Sequence, residues 1–131
     1  MDTLASILEV LEAVQRPPGV PATAVPFTST NQTAITTTTA VDIKAAVASK
    51  RHWITAIHAT NSTASEQTAI VLKDNAGSPK ILGTIIAEAE KGASLNLKIP
   101  IEVASGLKIT GEAQEATVGD TFVTIEGYVE A

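Results

Sequence analysis

The sequence contains no cysteine, which excludes a disulfide framework, a thiolate metal site and a cysteine nucleophile. Aromatic residues make up only 3% of the chain: Phe27, Trp53, Phe122 and Tyr128. That scarcity disfavours a sugar site built on stacked rings. Charge is sparse as well, at 18% of residues against roughly 25% in an average soluble domain. The net charge of −5 removes the basic stripe that nucleic-acid recognition requires. No run approaches the ~20 apolar residues of a membrane span. The first residues lack the positive segment of a signal peptide, and Glu9 and Glu12 interrupt the apolar run behind them. The expectation is therefore a chain made in a cytoplasm, without a leader. Asn31-Gln32-Thr33 and Asn61-Ser62-Thr63 match the glycosylation sequon and are read as chance for the same reason.

What is present is aliphatic. Hydrophobic residues reach 44% of 131, nearly all of them Ala, Val, Ile and Leu, and threonine is abundant, as in Thr36–Thr39. This suits one domain with an appendage. Three regions differ in pattern. Residues 1–16 carry Leu4, Ile7, Leu8, Leu11 and Val14 at helical spacing, which predicts an amphipathic helix over 2–16. Asp2 or Thr3 caps it, and Pro17-Pro18-Gly19 ends it. A helix this short is marginal in water, so its stripe needs a partner. Residues 17–34 are an uncharged Pro/Thr-rich arm or linker, with Val20, Val25 and Phe27 as its apolar points.

Residues 35–131 change to a period of two, the pattern of strands. Strands are expected at 35–47 (one strand or two), 52–60, 68–74, 81–87, 94–101, 107–111 and 121–130. Turn residues such as Asp74-Asn75-Ala76-Gly77 and Ala104-Ser105-Gly106 separate them. The connections are too short for parallel crossovers. The fold class is thus mainly β: an antiparallel, jelly-roll-like two-sheet β-sandwich of seven to eight strands. Leu95, Leu97, Ile99 and Ile101, Ile70 and Leu72, Leu107 and Ile109, and Val123 and Ile125 are expected to face the core. Pro100 points to a sheet edge. Trp53 beside Ile54 implies a strand covered on both faces.

No catalytic set can be assembled from the sequence. His52 and His58 fall on one strand with the same parity, ~20 Å apart, too far to share a metal ion. Each is read as a surface or interface histidine. There is no Gly-x-Ser-x-Gly elbow and no phosphate-binding glycine loop. Glu88 and Glu90 read as a solvated turn. The late acidic residues Glu112, Glu115, Asp120, Glu126 and Glu130 read either as a solvated edge or as a face for a basic partner. Enzyme activity, a cofactor and a metal are not expected.

Residues Lys44–Arg51 run into Ile54–Ser62, then Gln67–Asp74, and the chain closes on Gly127-Tyr128-Val129-Glu130. Over residues 40–131 this pattern resembles the small β-sandwich structural proteins of tailed-bacteriophage virions. Ser49 departs from it, standing where the pattern has glycine. The resemblance implies a capsid decoration (cement) protein on the virion surface, bound to the major capsid protein and self-associated as a homotrimer. The alternative it implies is a tail or head fibre module that binds a receptor. Leu4, Ile7, Leu8, Leu11, Val14, Val20, Val25, Phe27 and Trp53 are the expected partner or oligomer contacts.

Overall fold

Alternating apolar and polar residues become eight strands in the computed structural model: β1 (Val25–Thr30), β2 (Val41–Lys44), β3 (His52–Asn61), β4 (Thr68–Asp74), β5 (Ile81–Ala87), β6 (Gly92–Val103), β7 (Ile109–Ala113) and β8 (Thr121–Val129). The structure describes residues 17–62, 67–88, 90–115 and 119–131. The helix expected over 2–16 lies outside them, and no helix occurs among the described residues. A front sheet has the order β1-β8-β3-β6 and a back sheet the order β2-β7-β4-β5. Every pairing is antiparallel. The pairs β1·β8, β2·β7, β3·β6 and β4·β5 are nested, as in one long hairpin rolled over itself. β4 and β5 alone pair as neighbours in sequence; the other connections cross between sheets. This nesting is the jelly-roll arrangement.

The tight connection is built by Asp74. Its Oδ1 accepts from the backbone N–H of Ala76 (3.2 Å) and of Lys80 (2.9 Å), which closes the β4–β5 hairpin. The core between the sheets is aliphatic: Ile35, Ile43, Ile54, Ile57, Ile70, Leu72, Ile109, Val123 and Ile125 are all buried. Each such side chain contributes roughly 1.5–3 kcal/mol on leaving water.

Three expectations are corrected. The segment expected as an arm over 17–34 holds β1, which pairs with β8 from Val25↔Val129 to Thr30↔Thr124. Its proline concealed it, yet Pro26 lies on an edge strand, where the missing N–H costs no ladder bond. The strand expected over 35–47 is only Val41–Lys44, with Ile35 forming an isolated bridge to Thr121. Leu95 and Ile99 do not reach the core; they are 41% and 78% exposed. On β6 the pairing jumps from Asn96 to Ile101 while β3 advances only from Ala56 back to Ile54. The extra residues around Pro100 bulge, and the bulge turns Ile99 outward.

Residues 17–24 fold back on the outer face of the front sheet. Two proline-led turns, Val20 N–H to Pro17 O (3.2 Å) and Ala24 N–H to Pro21 O (3.0 Å), shape this segment. Gly19 supplies the positive φ of +83° that the first turn requires after Pro18. Val20 and Ala24 then bury Trp53, with Tyr128 beside it. Both faces of β3 are covered at its Trp53 end, as the Trp53-Ile54 pair implied.

Two substitutions probe this backbone. Gly127 lies against the Trp53 carbonyl, and a β-carbon there would overlap that backbone group. Gly127→Ala is expected to destabilise the fold by about 3 kcal/mol or more in urea unfolding, while Gly77→Ala, with open space around it, changes little. Ser49 holds φ +61°, the left-handed region that favours glycine. Ser49→Gly should therefore raise stability by about 1 kcal/mol.

Candidate functional site

The outer face of the front sheet follows from register. Cross-strand rows set Ala56 opposite Glu126 and Asn96, His58 opposite Thr124 and Ser94, and Thr60 opposite Phe122 and Gly92. On β1, Thr28 and Thr30 extend the first two rows. Residues 17–24 cover only the Trp53 end, so the remainder is open. Within it His58 joins two strands: Nδ1 lies 2.9 Å from Ser94 Oγ and Nε2 lies 3.1 Å from Glu126 Oε2. Thr30 and Thr124 share a hydroxyl hydrogen bond of 2.7 Å.

A serine, a histidine and a carboxylate in one hydrogen-bonded chain have the connectivity of a nucleophile and its base. Acyl transfer also requires donors for the developing oxyanion. Here the neighbouring backbone of β3 is committed to ladders with both β6 and β8. The groups stand on an open sheet face, with His58 37% and Glu126 48% exposed. What the arrangement offers is a flat comb of hydroxyls, an imidazole and a carboxylate, flanked by the half-open ring of Phe122. Sequence spacing does not reveal it, because the three residues come from β3, β6 and β8.

His52 is corrected from a surface or interface residue to a core residue. It is fully buried, with its ring edge-on to Phe27 at 5.5 Å and 83°. β3 bulges at Thr55, which has no partner in the register between Ile54 and Ala56. The extra residue inverts the parity, so His52 and His58 face opposite sides. Neither ring nitrogen of His52 has a hydrogen-bond partner among the described residues. Burial, followed by the nearby Lys44 charge, holds its pKa below the ordinary histidine value.

A second polar group sits at the strand ends. Arg51 bonds Glu130 (2.8 Å) and Glu102 (3.2 Å), and its guanidinium lies 4.9 Å over the Trp53 ring. The two carboxylates raise the Arg51 pKa, and Arg51 holds the Glu130 carboxyl below its usual range. Of the late acidic residues, Glu112 pairs with Lys73 (3.0 Å), Glu126 with His58 and Glu130 with Arg51. Asn31, read as part of a chance sequon, is buried: its Oδ1 accepts from Val123 N–H (2.7 Å) and its Nδ2 donates to Thr33 O (2.7 Å) and Thr121 O (3.3 Å). A cleft of about 610 Å³ lies between the end of β1 and β2, and Asp42 is the one ionisable group among its lining residues.

The expected contact residues divide sharply. Leu4, Ile7, Leu8, Leu11 and Val14 lie outside the described residues. Val20 and Trp53 are buried against each other, and Phe27 packs inward on the core. Only Val25 offers free surface, at 52% exposed. The larger apolar surface was missed: Ile81 (62%) and Ile86 (51%) on β5, and Leu95 and Ile99 on β6. β5 and β6 are the edge strands on one side of the sandwich. Their apolar content was legible in the sequence, and so was the edge position of β6 through Pro100, whereas that of β5 was not.

The chain matches no protein-family model and no curated protein. Among solved structures it is similar to a pilus chain of Bacillus endospore appendages (16% identity, 83% of this chain and 90% of that one, TM-score 0.49). It is also similar to the CBM36-1 domain of a multidomain xylanase from the hindgut metagenome of Trinervitermes trinervoides (10% identity, 80% and 95% covered, TM-score 0.48). A third is a chain of the virus-like particle of the extra small virus of the prawn Macrobrachium rosenbergii (11% identity, 88% and 86% covered, TM-score 0.44). Likenesses this distant carry no argument about what the chain does.

Burial of neutral His52 gives a pH prediction. Its folded pKa lies below the unfolded value of about 6.5, so the unfolded chain binds the extra proton first. The stability is fully present above pH ~6.5 and declines as pH falls toward the folded value. Chemical unfolding between roughly pH 7 and pH 5 should show this decline in the wild type and a flatter profile in His52→Leu. The Glu130 contribution is lost only at lower pH, below its ordinary carboxylate value of about 4.3.

Proposed function

We infer that this chain is a virion structural protein, a capsid decoration protein of a tailed bacteriophage that binds and stabilises the major capsid shell. The carrying observation is where the exposed apolar side chains stand. Ile81, Ile86, Leu95 and Ile99 stand exposed on the two edge strands of one side of the sandwich, and exposed apolar surface of this kind marks an interaction surface. The described polar groups are largely engaged in cross-strand bonds within the chain, such as Arg51–Glu130 and Asn31–Val123. The resemblance of residues 40–131 to phage virion sandwiches supplies the class of assembly. In this reading the protein self-associates, as a homotrimer, and is carried on the capsid surface. Nothing in the mechanism requires a bond to be made or broken; the chain acts by burying apolar area across subunit junctions.

The comb around His58 favours a second reading, a receptor-binding fibre module. Hydroxyls, an imidazole and a carboxylate on one open face, with Phe122 at its border, suit a polar ligand such as a glycan. Selective retention on a glycan array that is lost in His58→Ala would establish it.

Incubation with empty capsids, followed by sedimentation, tests the decoration reading. The purified chain is expected to co-sediment. Leu8→Glu/Leu11→Glu should reduce co-sedimentation by about tenfold or more while the sandwich still folds. No binding by the wild type rules the decoration role out.

A further inference from the structure

We propose that the free edge of β5 is a self-association surface, which pairs two copies of this chain edge to edge and joins their back sheets into one continuous sheet. The inference goes beyond the functional reading above, because a two-fold β5 contact joins copies in pairs and is separate from the three-fold association named there; it stands on the chemistry of the strand edges.

A sandwich of this kind has edges on two sides, and natural proteins guard them against stray pairing with charge, proline or bulges. On one side, β1 contains Pro26, which lacks a donor, and β2 carries Asp42 and Lys44. On the other side β6 is guarded too: it contains Lys98, Pro100 and Glu102, and its ladder is broken by the bulge. β5 has neither charge nor proline in Ile81-Leu82-Gly83-Thr84-Ile85-Ile86-Ala87. Its pairing with β4 is regular from Gly83 to Ala87, so its other edge presents an ordered row of backbone donors and acceptors. Among the described residues one side-chain bond reaches this strand's backbone, from Asn61 Nδ2 to the Ala87 carbonyl. Ile81 and Ile86 stand exposed on it, and Leu95 and Ile99 are exposed on β6, the other edge strand of that side.

The occupant is a second copy for two reasons. A strand edge is completed by another free strand edge, and antiparallel pairing about a two-fold axis makes β5 its own complement. The chain also carries a net charge of −5, which opposes contact between copies, and an uncharged strand is where a contact adds no close like-charge pairs. β5 combines an uncharged sequence with apolar side chains and an unblocked edge. Pairing there sets apolar residues of one copy against those of the other while the free backbone groups are satisfied.

Sedimentation equilibrium of the full chain is expected to show self-association. Ile81→Lys/Ile86→Lys should weaken it by about tenfold or more, with the thermal transition by circular dichroism retained. Should that variant fail to fold, single cysteines answer the question, because the chain has no other. Mild oxidation of Thr84→Cys or Ile86→Cys is expected to give a covalent dimer, and Val25→Cys on the β1 edge none. A wild type that stays monomeric up to roughly 1 mM overturns the proposal. So does association that the lysines leave unchanged, or that is abolished only by Leu8→Glu/Leu11→Glu. Association that depends on β5 in a chain that ignores capsids rejects the decoration role and leaves this surface standing.

Discussion

The one constraint on which this sandwich depends is the course of β3. It is hydrogen-bonded on both sides, to β8 and β6; its inner face lies on the core, and its outer face is covered at the Trp53 end. A strand in that position must keep its inward set aligned along its whole length. β3 does so in two halves. His52 and Ile54 face inward before the bulge, Ile57 and Ala59 after it, and Thr55 is the extra residue between. Without that insertion the second half would present its polar residues to the core and Ile57 and Ala59 to water. The Thr55 hydroxyl donates to the Glu126 carbonyl (3.1 Å), so the bulge is tied to β8 by a bond of its own. Directly beside it, Gly127 leaves room for the Trp53 carbonyl.

From that strand the rest can be traced outward. The bulge leaves Trp53 on the outer face, where a bare indole would be costly. Val20 and Ala24 cover it, and the Arg51 guanidinium lies over the ring. Arg51 in turn fixes Glu130 and Glu102, at the ends of the strands flanking β3. Exposed ion pairs contribute little to stability. Their value here is geometric, since a paired carboxylate at each neighbouring strand end favours one register over a slipped one. The polar residues beyond the bulge face outward together for the same reason, which is how His58 meets Ser94 and Glu126.

The sequence made much of this legible where a residue's behaviour depends on its near neighbours. The alternation around Ile70 and Leu72, or Val123 and Ile125, leaves one choice of buried face, and the Asp74 turn is written in four consecutive residues. What stayed hidden depends on partners distant in the chain. Val25–Thr30 looks like an arm because its proline and threonines are read without the neighbour that makes it a strand, β8. The inversion between His52 and His58 comes from one inserted residue that alternation alone does not reveal. Leu95 and Ile99 alternate as core residues do, yet they belong to an edge that bulges. The same blindness applies to the site: Ser94, His58 and Glu126 become neighbours only through the β6-β3-β8 order.

The scarcity of aromatic residues then acquires a structural meaning. An aliphatic core fills the space between two four-stranded sheets with isoleucine, leucine and valine, whose branched side chains pack well on pleated surfaces. Such sheets hide their apolar faces well and their edges poorly. On the β1/β2 side a proline and two charged residues meet that exposure, and on β6 a bulge does. β5 is left as an uncharged strand, regular from Gly83 to Ala87, that carries Ile81 and Ile86 into water. An edge of that composition is a liability in a chain that remains alone and an asset in one that is built into a larger assembly. In a protein that guards its other edges with proline, charge and bulges, the unguarded strand is the edge at which the proposed pairing of two copies would occur, and pairing about a two-fold axis closes there.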